Sequence, residues 1–312
     1  MNKKQIRTLT VLACVALLLG VALAFLSHEK TPEVLPKLSR FEPSQITAVS
    51  YTNLYGSQSY VKNDGVWQLA NDPDFPVNGI LLQNMLSALC QAVPQDIMEG
   101  KNTEEWGLSN PQCTIELVAD SGSQIFTVGS MNAVTEQLYV QTDNTVYLTD
   151  TTILQAFSGS VLDLARQAII PTPEDQESVV IMNDAGTLTL SCVGSQTDGA
   201  DGTWYVLCGD TYALANQDMA YNYYFLTWDM HWLSTAGYVT DVSELAAYGL
   251  DTPQVRYTLT YGGNTFRLLL GDDLPDGTTY AMVAGEDLVY TIDSVLVDWL
   301  LQATPESVLT QP

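Results

Sequence analysis

From residue 46 onward, apolar and polar positions alternate in short runs separated by turn residues. Ile46–Thr52 and Ser57–Lys62 predict two strands, and Asn63-Asp64-Gly65 predicts a tight hairpin after them. Cys113, Ile115 and Leu117 alternate with polar residues, and a turn at Asp120–Ser123 leads to a strand at Ile125–Val128. Val255, Tyr257 and Leu259 alternate in the same way before Gly262-Gly263-Asn264. Further strands are predicted near Gln137–Gln141, Thr145–Leu148, Val179–Asn183, Thr187–Val193, Thr279–Val283 and Leu288–Ile292.

Twice the period changes from two to that of a helix. Leu82, Met85, Leu86, Leu89 and Val93 follow helical spacing, and so do Tyr221, Tyr224, Phe225, Trp228 and Trp232. A helix lying on a sheet accounts for both stripes. Clustered Tyr and Trp also suit a partner-binding or glycan-stacking face, so the aromatic stripe is the candidate binding surface.

The pattern repeats. "WGLSNPQCTIELVADSGSQIFTVG" (Trp106–Gly129) aligns without a gap to "YGLDTPQVRYTLTYGGNTFRLLLG" (Tyr248–Gly271). "VYLTD" (Val146–Asp150) then matches "VYTID" (Val289–Asp293), and "GVWQLAND" (Gly65–Asp72) resembles "GTWYVLCGD" (Gly202–Asp210). A repeat this long is a domain-sized unit rather than a solenoid rung. The shared phrase reads as a helix-to-strand corner. Asn102 with Glu105, and Asp241 with Glu244, have capping-box spacing. Gly107 and Gly249 sit where a helix needs a left-handed residue, Leu108 and Leu250 fold back, and Pro111 and Pro253 block continuation.

The first 26 residues stand apart. MNKKQIR carries Lys3, Lys4 and Arg7, and Thr8–Leu26 has no charged residue. At ~1.5 Å per residue that run reaches roughly 28 Å, close to the hydrocarbon thickness of a bilayer. It reads as an uncleaved signal anchor, with the N-terminus cytoplasmic and the bulk of the chain extracytoplasmic. Cleavage after Ala22-Leu23-Ala24, or a lipoprotein at Cys14, are the alternatives. The organisation expected is a tip and transmembrane anchor at 1–26, a stalk at 27–44, α+β modules at 45–170 and 176–303, and a tail at 304–312. The fold class is α+β: two tandem antiparallel sheets with packed helices after one N-terminal transmembrane helix.

Charge narrows the function. Residues 41–312 hold five Lys/Arg against 34 Asp/Glu, a net of about −29, which repels nucleic acid and anionic headgroups. Four cysteines, Cys90, Cys113, Cys192 and Cys208, lie beyond the span and fit no zinc spacing. Free buried thiols are the reading for these cysteines; the alternative is that Cys192 and Cys208 meet across a hairpin of their two strands. The two histidines are His28 and His231, and no HExxH, GxSxG or GxxxxGK[ST] occurs. "TDGADGT" (Asp198, Asp201) and "GDDLPDGTT" (Asp272, Asp273, Asp276) resemble calcium loops but match turn chemistry better. No cofactor is expected, and no pattern selects a carboxylate pair for hydrolysis.

Tyr248–Asp293, with its Y-G-L-x-x-P phrase, strand ending in Gly and later VY strand, resembles the bacterial domain of unknown function numbered 4340. The N-terminal span and Asp64–Leu69 also match, and the resemblance covers most of residues 45–303 in two copies. It implies an envelope protein accompanying an ABC-type permease and a separate ATPase, and it carries over no catalytic residue. The function expected is therefore a non-enzymatic accessory or binding protein at the cell membrane. A glycan- or peptide-binding module and a carboxylate-dependent hydrolase are the alternatives.

Overall fold

A computed structural model describes residues 35–99, 103–175, 177–194 and 202–309. The expected span at Thr8–Leu26, residues 27–34 of the stalk, Asn102, Asp198, Asp201 and residues 310–312 lie outside the described residues. Among the described residues, no helix is long and apolar enough to cross a membrane.

The described residues form two antiparallel sheets with a few helices and are mostly β. The first sheet contains β1 (Ile46–Asn53), β2 (Gly56–Asn63), β3 (Val66–Leu69), β4 (Asp96–Met98), β5 (Cys113–Ala119), β6 (Gly122–Met131), β7 (Leu138–Thr142) and β8 (Thr145–Thr149). Their order is β3-β2-β1-β5-β6-β7-β8-β4. The second contains β9 (Ser178–Asn183), β10 (Gly186–Val193), β11 (Thr203–Cys208), β12 (Thr211–Leu214), β13 (Ser234–Tyr238), β14 (Val255–Tyr261), β15 (Asn264–Asp273), β16 (Thr278–Val283) and β17 (Leu288–Asp293). Its order is β12-β11-β10-β9-β14-β15-β16-β17-β13. Each strand of the first sheet has its counterpart at the same station in the second, and β12 adds an edge strand. The duplication read from the sequence is thus a duplication of topology.

Alternation fixes which face is buried. β5 buries Cys113, Ile115 and Leu117, and β14 buries Val255, Tyr257 and Leu259. Helix α1 (Gly79–Gln91) lays Leu82, Leu86 and Leu89 on the first sheet, each worth about 1.5–3 kcal/mol of burial. It ends two residues earlier than the periodicity predicts, leaving Val93 47% exposed. Pro94 explains this, because a residue before proline is pushed out of the helical region. Short helices α2 (Thr152–Ala156) in the first module and α3 (Gln217–Tyr224), α4 (Leu226–Asp229) and α5 (Ser294–Leu301) in the second complete the layers.

The repeated phrase is a lock between a corner and a strand. Gly107 N–H donates to Glu104 O at 3.1 Å and Leu108 N–H to Thr103 O at 2.8 Å. In the second copy Gly249 donates to Ala246 O at 3.4 Å and Leu250 to Leu245 O at 3.0 Å. This paired bonding is the Schellman cap, and φ of +70° at Gly107 and +65° at Gly249 suits glycine. The capping box at Asp241 and Glu244 is present and opens a 3-10 helix, Val242–Tyr248. In the first copy Thr103–Leu108 is a run of turns rather than the helix expected.

The corner then seats on the sheet. A Cβ built on Gly129 would stand 2.1 Å from Trp106 O, and one on Gly271 would stand 2.0 Å from Tyr248 O. The phrase's glutamine ties the same glycine down: Gln112 Nε2 donates to Gly129 O and Gln254 Nε2 to Gly271 O, both at 2.6 Å. Trp106 and Leu108 join Val146 in a small cluster of their own, as Leu250 joins Val239, Met282 and Val289. Val146 and Tyr147 are strand neighbours and point to opposite faces. Tyr147 packs on the main core, so the corner cluster lies on the other side of the sheet.

Two more devices recur. The final Asp of each VY phrase accepts a backbone N–H at the start of a helix: Asp150 from Thr152 and Asp293, the N-cap of α5, from Val295, both at 2.9 Å. Asn53 donates to the carbonyls of Phe157 and Gly159. Its counterpart Asn183 donates to Leu300, Leu301 and Ala303, closing the C-terminal end of α5.

Candidate functional site

The aromatic stripe divides into three roles. Phe225 N–H bonds to Tyr221 O and closes α3, whereas Trp228 N–H bonds to Phe225 O, three residues back, and tightens the chain. The single helix predicted through Trp232 is therefore broken at Phe225, and Trp232 lies beyond α4. Tyr221, Phe225 and Trp228 remain on one flank. Phe225 sits between them, with ring centroids 4.2 Å from Tyr221 and 4.9 Å from Trp228. Tyr221 is 42% exposed and Trp228 56% exposed, so this ladder faces solvent.

Tyr224 is fully buried against Trp204. Its hydroxyl donates to Asp175 O. Burial, with Glu177 next, pushes its pKa far up. Tyr224 is thus a core residue of the second module. Trp232 belongs to the seam between modules. It stacks on Tyr290 at 4.2 Å and donates from Nε1 to Ala168 O at 2.8 Å. Tyr290 Oη accepts from Ala168 N–H at 2.8 Å. Phe75 meets Tyr238 edge to face at 5.1 Å, and Leu288 and Tyr290 are part of the first module's core.

Two depressions flank these residues. A groove of about 840 Å³ runs beside the ladder, lined by Trp204, Leu214, Gln217, Asp218, Tyr221 and Asn222. A cleft of about 450 Å³ lies at the seam, with Arg166 among Asp74, Glu286 and Asp287. The Glu286 carboxyl is raised by partial burial, against the opposing pull of Arg166. It sits on an exposed turn. His231 is exposed, its ring Nδ1 lying 3.3 Å from Asp229 O.

The remaining sequence candidates resolve into structural uses. Asp273 accepts from Thr279 Oγ1 at 2.6 Å and from Gln254 Nε2 at 3.2 Å, and Asp276 accepts from the N–H and hydroxyl of Thr278. Among the described residues, no group of three or more His, Cys, Asp and Glu is placed to hold a metal ion. The hairpin expected around Cys192 forms, but its register sets Trp204 opposite Cys192, so Cys208 lies farther along the strand. The seam clamp escaped the sequence reading. Its parts, Ala168, Trp232 and Tyr290, have no periodic relation to one another.

A family model described as a domain of unknown function (DUF4340) matches residues 67–222 and 233–309. No curated protein and no solved structure matches the chain.

Proposed function

The chain belongs to this family, and from that premise we propose that it is a non-enzymatic, membrane-anchored extracytoplasmic accessory protein serving an ABC-type transport assembly as its binding subunit. The observation behind this reading is the seam. Two copies of one fold share a core through Leu288, Tyr290 and Trp232, which joins them into one unit. The repeated phrases form caps and corners, so the duplication has multiplied surface rather than chemistry. The apolar run Thr8–Leu26 would hold that unit at the bilayer. Affinity purification of the full-length chain from its own membranes tests the proposal. A permease and an ATPase should co-purify in fixed ratio; recovery of the chain alone would count against it.

A second reading has one specific observation in its favour. The ladder of Tyr221, Phe225 and Trp228 beside a groove of about 840 Å³ suits stacking of a sugar ring or a peptide side chain. Carboxylate-dependent hydrolysis has the weaker support. Glu286 shares its cleft with Asp74 and Asp287, but it sits on an exposed loop, and a hydrolase needs two carboxyls at defined separation about the scissile bond.

A further inference from the structure

We propose that the apolar edge formed by Val93, Ile97 and Tyr147 is the docking face for an extracytoplasmic loop of a membrane-embedded partner. This rests on the anchored reading above. The edge is recognised by comparing the two modules at one station. In the first sheet Ile97 on β4 pairs with Tyr147 on β8; in the second, Thr235 on β13 pairs with Tyr290 on β17. The second station is covered. Tyr290 is fully buried and Leu288 nearly so, beneath Trp232 and within the first module's core. Among the described residues, the first station has no such cover. Ile97 is 42% exposed, Val93 47% exposed, and Tyr147 half-buried. An edge strand with an exposed β-branched side chain presents both apolar contact and backbone hydrogen-bonding groups.

The path of the chain selects the occupant. Leu38 N–H donates to Ala92 O at 2.9 Å, so the polypeptide arriving from the N-terminal side packs beside Val93. With Thr8–Leu26 read as the span, residues 27–34 separate it from Leu35. Eight residues reach at most about 30 Å, which holds this edge close to the bilayer surface. Loops of a lipid-embedded protein lie at that height. Asp96 and Glu99 flank Ile97 and favour a neutral or basic loop. They disfavour a second copy of this acidic chain.

A photo-crosslinking amino acid placed at position 93 or 97 of the full-length chain, in its own membranes, tests this. Positions 214 and 228 serve as controls. The expected adduct resists carbonate extraction and joins positions 93 and 97, not the controls, to an extracytoplasmic loop of a multi-span protein. Ile97→Asp with the probe at 93 should reduce the adduct to background while thermal unfolding is unchanged. Retention of the chain in the membrane with no adduct, with equal labelling of the controls, or with an adduct to a second copy or a soluble protein, overturns the proposal alone. Release of the whole chain by carbonate overturns the anchoring and the proposal with it.

Discussion

Trp232 and Tyr290 stack with ring centroids 4.2 Å apart, and together they hold both backbone groups of Ala168. Trp232→Ala removes the stack and the bond to the Ala168 carbonyl. It should cost about 2–4 kcal/mol and let the modules unfold separately. Calorimetry should then show two transitions in place of one, with faster proteolysis between residues 165 and 175.

The corner lock predicts a steep cost for one methyl group. Gly271→Ala sets a Cβ against the Tyr248 carbonyl, and Gly129→Ala does the same at Trp106. Each should destabilise by about 2–3 kcal/mol, because backbone rather than a movable side chain lies in the way. Urea denaturation measures both, and Gly285→Ala, whose Cβ would meet nothing within 4 Å, provides a contrast limited to its φ of +92°.

Asn183 separates hydrogen bonding from size. Its amide donates to three carbonyls at the end of α5. Asn183→Ala should cost about 1–2 kcal/mol. Asn183→Asp should cost more, since a carboxylate would face those carbonyl oxygens without a proton to donate. Denaturation midpoints of the two variants decide the order.

The aromatic stripe predicts opposite outcomes for neighbouring residues. Tyr224→Ala empties a core site and should cost about 3–5 kcal/mol. Trp228→Ala removes an exposed ring and should change stability by no more than about 0.5 kcal/mol. If the ladder binds glycan or peptide, Trp228→Ala abolishes a fluorescence-detected titration while the melting curve stays in place.

Two carboxyls act on stability with opposite sign. Hydrogen bonds from the hydroxyl and N–H of Ser243 hold Asp241 below its ordinary 3.8. Its contribution is present above that value and lost as pH falls through the folded value. Glu286 is raised from 4.5 by burial, so the folded state binds its proton more tightly and stability declines as pH rises past 4.5. Asp241→Asn should flatten the acid limb of a stability–pH curve, and Glu286→Gln the rise in stability on going from neutral pH toward 4.5.

The local grammar of this fold was legible because it depends on near neighbours. Gly107 and Gly249 declared their corners, Asp241 and Glu244 their cap, and alternation through Cys113–Leu117 and Val255–Leu259 the buried face. Matching phrases exposed the duplication, since like sequence folded into like strand order. Helical spacing at Tyr221–Trp232 could not reveal that Tyr224 faces inward, Trp228 outward and Trp232 toward the other module. Those fates depend on where the sheets meet, and spacing along one segment carries no such information. Asn53 and Asn183 escaped notice for the same reason: their partners lie more than a hundred residues away.

The shared core also sets an order of events during synthesis. Leu288 and Tyr290 complete the packing of a module whose own strands end at Thr149. The earlier half therefore waits with an unfinished apolar flank until nearly the whole polypeptide has emerged. That interval is when a holding chaperone would matter most, and a truncation before residue 288 would leave the older half without its lid.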